Sequence, residues 1–171
     1  MVQEFFDQVS LTKGVRFIVG LLSISLFFAC KNIKQMSNSN IIHAFRLKPG
    51  EDVKQSILKY VDENKIAAGY VVTCVGSLTE YNIRFANNTD GSKGTGHFEI
   101  VSLTGILSNE GSHIHINISD STGKTIGGHL LDGCKVYTTA EIVIGEHKTK
   151  IFTRVLDSTF KYKELRVKKA D

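Results

Sequence analysis

Ser112-His113-Ile114-His115-Ile116-Asn117-Ile118-Ser119 carries the pattern on which the fold class rests. Successive side chains of a strand point to opposite faces, so Ile114, Ile116 and Ile118 share one face while His113, His115 and Asn117 share the other. Turn residues bound this strand on both sides, Asn109-Glu110-Gly111 before it and Asp120 to Gly123 after it. Outward along the chain, Ile42 to Leu47, Ala68 to Val75, Tyr81 to Ala86, His97 to Leu103 running into Gly105-Ile106-Leu107, Val136 to Ile144 and Lys150 to Leu156 read as further strands. One helix interrupts them. Pro49-Gly50-Glu51-Asp52 breaks the chain with acidic residues that favour a helix N-terminus, and Val53, Ile57, Tyr60 and Val61 then recur at helical spacing over residues 52–63. The result is an α/β domain of the α+β kind, with about seven strands, one or two helices and no internal repeat.

The 171 residues (18.9 kDa, 42% hydrophobic, 22% charged) suffice for one folded domain with a single core that needs no staples. Cys30, Cys74 and Cys134 give no paired framework, and Cys74, inside an apolar strand, reads as a small core residue. The formal charge of +4 is unevenly placed: residues 1–40 carry a net +2, residues 161–171 a net +3, and the body between them a net −1. A duplex-binding surface needs clustered Lys and Arg. Here the only such cluster is the basic C-terminal tail, 161–171, which reads as a solvated end, so DNA contact through the domain body is not expected.

Composition changes sharply near residue 40. Residues 17–29, FIVGLLSISLFFA, form an uncharged apolar run preceded by Lys13 and Arg16 and followed by Cys30 and Lys31. Its length suits the core of a signal peptide better than a spanning helix. Residues 1–40 therefore read as a leader: a signal peptide, a lipoprotein signal lipidated at Cys30, or a membrane anchor. Met36 offers a fourth reading, in which translation starts there and the leader is spurious. Export or membrane anchoring follows from the first three, a cytoplasmic protein from the last, and any membrane contact would run through this leader alone.

The chemistry concentrates on histidine. Two imidazoles two positions apart on a strand stand about 6–7 Å apart at the backbone, close enough for their nitrogens to meet on one metal ion. His129, in Gly127-Gly128-His129-Leu130, is a third candidate, presented by a loop that the two glycines allow to approach the strand. His113, His115 and His129 would leave a fourth coordination position open, the arrangement of catalytic zinc. Alternatively, His113 and His115 line a metal-free polar face or a subunit interface. Asp120 and Asp132 are candidates to orient an imidazole, and His97 is a candidate to join the cluster. His43 and His147 read as ordinary surface or edge residues. No phosphate-binding loop, nucleophile elbow or dinucleotide fingerprint occurs. Gly91-Ser92-Lys93-Gly94-Thr95-Gly96 reads as a mobile loop, and Asn87-Asn88-Thr89 matches a glycosylation sequon.

Several motifs, in order, resemble one family. Gly96-His97-Phe98-Glu99-Ile100-Val101-Ser102-Leu103-Thr104-Gly105, Gly111-Ser112-His113-Ile114-His115, Asp120, Gly123, Gly127-Gly128-His129-Leu130 and Gly133-Cys134-Lys135-Val136 look like the PPC domain, "plants and prokaryotes conserved". Arg46 to Asp52 and Gly76-Ser77-Leu78 extend the resemblance over residues 41–160. It implies a compact single domain with a central, mostly antiparallel sheet that assembles as a homotrimer. It also implies that His113, His115 and His129 gather near a subunit interface, where prokaryotic members can hold a metal. Plant members carry AT-hooks of the Arg-Gly-Arg-Pro type before the domain. None occurs in this chain, and where plant domains have Gly-Arg-Phe, this one has Gly96-His97-Phe98. The expectation is a stand-alone trimeric domain that binds Zn2+, another divalent metal or a small-molecule ligand, with catalysis left open. The alternative is an oligomerisation or DNA-associated regulatory module whose basic tail adds weak phosphate contacts.

Overall fold

The computed structural model describes residues 39–170. The apolar run 17–29, Cys30 and Met36 lie outside them, and no helix of the described residues is long and apolar enough to cross a membrane. In chain order the elements are β1 (Asn40–Leu47), α1 (Val53–Glu63), β2 (Gly69–Arg84), β3 (Ser92–Ser108), β4 (Gly111–Ser119), β5 (Thr125–Leu130), β6 (Lys135–His147), β7 (Lys150–Leu156) and β8 (Lys163–Lys169). Six strands form one antiparallel sheet in the order β1-β6-β2-β3-β4-β5. β5 also pairs with the far end of β2, Ile83 opposite Leu130 and Arg84 opposite His129, so β2, β3, β4 and β5 close into a ring. The remaining two strands form a separate hairpin.

The helix begins at Asp52, whose Oδ1 accepts from the Gln55 amide at 3.1 Å and whose Oδ2 accepts from the Gly133 amide at 2.6 Å. One buried carboxylate thus caps the helix and ties it to the turn before β6. Val53, Ile57 and Val61, spaced as the sequence indicates, are buried against the sheet. The core continues through Leu78, Ile83, Ile116, Ile118, Ile142 and Ile144, all fully buried. Burial along β4 follows its alternation, with Ile114, Ile116 and Ile118 inside and His115 and Asn117 outside.

Several expectations from sequence change. Ala68 to Val75 and Tyr81 to Ala86 are parts of one strand, β2, because Gly76-Ser77-Leu78 continues the ladder through register shifts instead of turning the chain. The glycine-rich stretch Gly91 to Gly96 is not a loop: from Ser92 it pairs with β2, and the Tyr81 ring lies where a side chain at Gly94 would go, 2.5 Å from its Cβ position. Glycine here accommodates an aromatic ring and does not mark a break. The segment carrying His129 is likewise a strand, β5. The basic tail is also paired: β8 runs antiparallel to β7, with Leu165 opposite Arg154 and Val167 opposite Phe152, although its side chains stay exposed. His43, finally, lies on the edge strand as expected but is half-buried, its Nε2 3.0 Å from Oε2 of the buried Glu146 and its Nδ1 3.4 Å from the Tyr60 hydroxyl.

Candidate metal centre

β4 supplies His113 and His115 from the face opposite its three isoleucines, and β5 supplies His129 directly across from His115. Two glycines permit that pairing. A Cβ at Gly127 would fall 1.7 Å from Asn117 Oδ1, and one at Gly128 would fall 2.4 Å from the Arg84 carbonyl oxygen. Any larger residue at Gly128 would push β5 from β2, because its obstacle is backbone. The pair therefore seats a strand between two neighbours, and this close approach is why Gly-Gly reads as a loop when the neighbours are unknown.

The three rings converge. His113 Nε2 is 3.1 Å from His115 Nε2, and His115 Nε2 is 3.2 Å from His129 Nδ1. One nitrogen from each ring lies within 4.8 Å of the others. Zn–N bonds of about 2.0–2.1 Å at tetrahedral angles would place ligand nitrogens about 3.3–3.4 Å apart, close to these spacings. Hydrogen bonding does not account for the arrangement equally well. An imidazole nitrogen bears one proton or one in-plane lone pair, so His115 Nε2 makes one well-directed hydrogen bond, yet it has two nitrogen neighbours. A cation at the centre would accept a lone pair from each ring. His115 is exposed and the other two are half-buried, which leaves the cluster open to solvent on one side.

Electrostatics favours the neutral form of His113 and His129. Desolvation first, then the charge of Arg84, hold His129 down at a pKa of about 4. His113 is lowered by desolvation, His115 and Arg154 in that order. Neutral rings offer the lone pairs that a metal requires.

The sequence-derived neighbours fall elsewhere. His97 packs against the Tyr137 ring, centroids 4.3 Å apart. Asp120 Oδ1 accepts from the Thr122 amide at 2.9 Å and the Lys124 amide at 3.1 Å, closing the β4–β5 turn, and Asp132 pairs with Lys54 at 3.1 Å. Among the described residues, no carboxylate bonds to any of the three imidazoles. Cys74 is buried with its thiol pushed up to about 12 by desolvation, which makes it inert. What the sequence reading missed is the wall beside the cluster: Arg84 at the end of β2 and Arg154, Tyr162 and Lys163 of the β7–β8 hairpin. Nothing local in the sequence joins these residues to the histidines.

Comparison with known proteins agrees with this architecture. The chain is 38% identical over 128 residues to the bifunctional protein GlmU of Synechococcus sp. (strain JA-3-3Ab), a match that covers 75% of this chain and 21% of that protein. The chain thus spans about a fifth of the length of the curated relative it matches. The structure of a hypothetical protein from Salmonella enterica superposes with a TM-score of 0.76 at 36% identity, over 77% of this chain and 96% of that one. A metal-containing protein from Archaeoglobus fulgidus shares the fold, with a TM-score of 0.61 at 21% identity over 74% and 93% of the two chains. The model of the Plants and Prokaryotes Conserved (PCC) domain matches residues 34–148, across the sheet, the helix and all three histidines, and the chain belongs to that family, the PPC family of the resemblance.

Proposed function

We propose that this protein is a trimeric PCC-domain protein that holds a divalent cation, Zn2+ by the chemistry of the donors, on His113, His115 and His129. The observation that carries this reading is the position of His115 Nε2, 3.1 and 3.2 Å from nitrogens of the two other rings. Three borderline nitrogen donors suit zinc better than magnesium or calcium, which prefer oxygen. The existence of a metal-containing protein with the same fold is in keeping with it. When bound, such an ion would supply Lewis acidity at the open position, and the three neutral ligands would leave its charge undiminished. Metal analysis of the purified protein tests the reading. About one ion per chain is expected in the wild type and none in His113→Ala/His115→Ala, since a site with one ligand left cannot fill a four-coordinate shell. Equal metal content in the two proteins would overturn it.

Support for assembly comes from the sheet surface. Val72 and Val75 on β2, Val101 on β3 and Tyr137 on β6 are large apolar side chains left exposed, Val75 at 56% and Val101 at 57%. Apolar side chains grouped on one sheet favour burial against another copy. Sedimentation equilibrium is expected to give three times the chain mass, and Val75→Asp/Val101→Asp a lower mass. A wild type that sediments as a monomer would rule out the trimer.

A further inference from the structure

Beside the imidazoles lies a cleft of about 690 Å³, which His113 and His129 help to line. Arg84, Ser112, Arg154, Tyr162, Lys163 and Glu164 complete much of its wall. Three of these side chains are cations at neutral pH and one is an anion. Both guanidiniums are tied in place: Arg84 donates to the Asn88 carbonyl at 3.2 Å, and Arg154 donates to the Lys163 carbonyl. Both line the same cleft as His113 and His129.

This placement is at odds with a pocket built only to retain a cation. Like charges repel, and more strongly where bulk water is partly excluded. A carboxylate would offset the ion, but among the described residues none bonds to the three imidazoles. With a divalent ion on the histidines, the cleft would be strongly positive and its balance would have to come from outside the chain. The wall has the tools for such a ligand. The planar fork of Arg matches the paired oxygens of phosphate and carboxylate, and Ser112 and Tyr162 add neutral hydroxyl donors. The volume is that of sites that take small metabolites.

We propose that this cleft binds a small organic oxyanion, a phosphate or carboxylate head group held by Arg84 and Arg154 with its oxygens facing the cation. The proposal rests on the metal reading above, and the experiment separates the two. The protein is loaded with Co2+, whose visible absorption reports its ligands, and titrated with inorganic phosphate, with acetate, and with chloride at matched ionic strength. A saturable spectral change with phosphate or acetate and none with chloride is expected, and the tighter of the two probes identifies the head group. Arg84→Gln is expected to weaken anion binding about tenfold or more. The same variant should bind Co2+ at least as tightly as the wild type, because a repelling charge has gone. These opposite signs distinguish a ligand-binding arginine from one that merely supports the fold. Arg154→Gln, on the hairpin outside the main sheet, provides the same comparison where Arg84→Gln does not fold. Cobalt uptake without an anion-specific response, or with anion affinity unchanged from the wild type in both arginine variants, sinks this inference alone. No cobalt uptake sinks the metal reading and takes the inference with it.

Discussion

Adding Zn2+ to the metal-free protein should raise its unfolding free energy by about 4 kcal/mol at a free concentration about a thousand times the dissociation constant. His129→Ala should remove most of that gain, leaving only what the pair on β4 can hold. Thermal unfolding with and without EDTA, followed by circular dichroism, measures both. The pH dependence has a definite sign. His129 titrates in the fold near a pKa of about 4, below its ordinary value of 6.5, so between these values the unfolded chain binds more protons than the folded one. Stability of the metal-free protein is therefore lost as pH falls from 6.5 towards 4, and none of this contribution changes above about pH 7. Protons compete with metal in the same direction, but the depressed value postpones that competition to more acidic solution than free imidazole would show. An unchanged unfolding temperature with saturating Zn2+ at pH 7 would contradict the expectation.

Ile116→Ala should act on the other face of the same strand. Ile116 is fully buried in the core and lies opposite Gly128 of β5. Removing a buried Ile side chain to the β-carbon typically costs about 2–5 kcal/mol, transfer and cavity terms together. That is a large share of the roughly 5–15 kcal/mol that holds a domain of this size. Metal stoichiometry under native conditions should survive, because the imidazoles project from the opposite side. Urea unfolding monitored beside metal content checks both halves. A loss of metal without loss of stability would show that the two faces are not independent.

The two faces also explain what the sequence could and could not disclose. Period-two alternation is a local signal, and along β4 it places both the isoleucines of the core and the two histidines of the cluster. The helix was equally legible from Asp52, Val53, Ile57 and Val61. The glycine-rich segments read as loops for one reason. Gly94 and Gly128 are glycines because a Tyr81 ring and the Arg84 carbonyl come close, and those neighbours exist only after distant strands have paired. The same applies to Arg84 and Arg154, which reach the cluster through ring closure and through the placement of the hairpin. Asp120 and Asp132, the candidates to orient an imidazole, lie instead in a turn and in an ion pair.

The β5–β2 closure also divides the molecule by the sequence distance of its contacts. His113, His115 and His129 all lie in the single β4–β5 hairpin, joined by the turn at Asp120, so bringing them together closes only a short loop. Arg84 reaches His129 only when the ends of that ring, with β3 and β4 between them in the chain, have met. Loop-closure entropy grows with the length enclosed, and contacts distant in sequence slow folding. The three imidazoles thus belong to a part of the chain that can assemble from its own neighbours, while the cationic wall waits on contacts that enclose a longer stretch of chain.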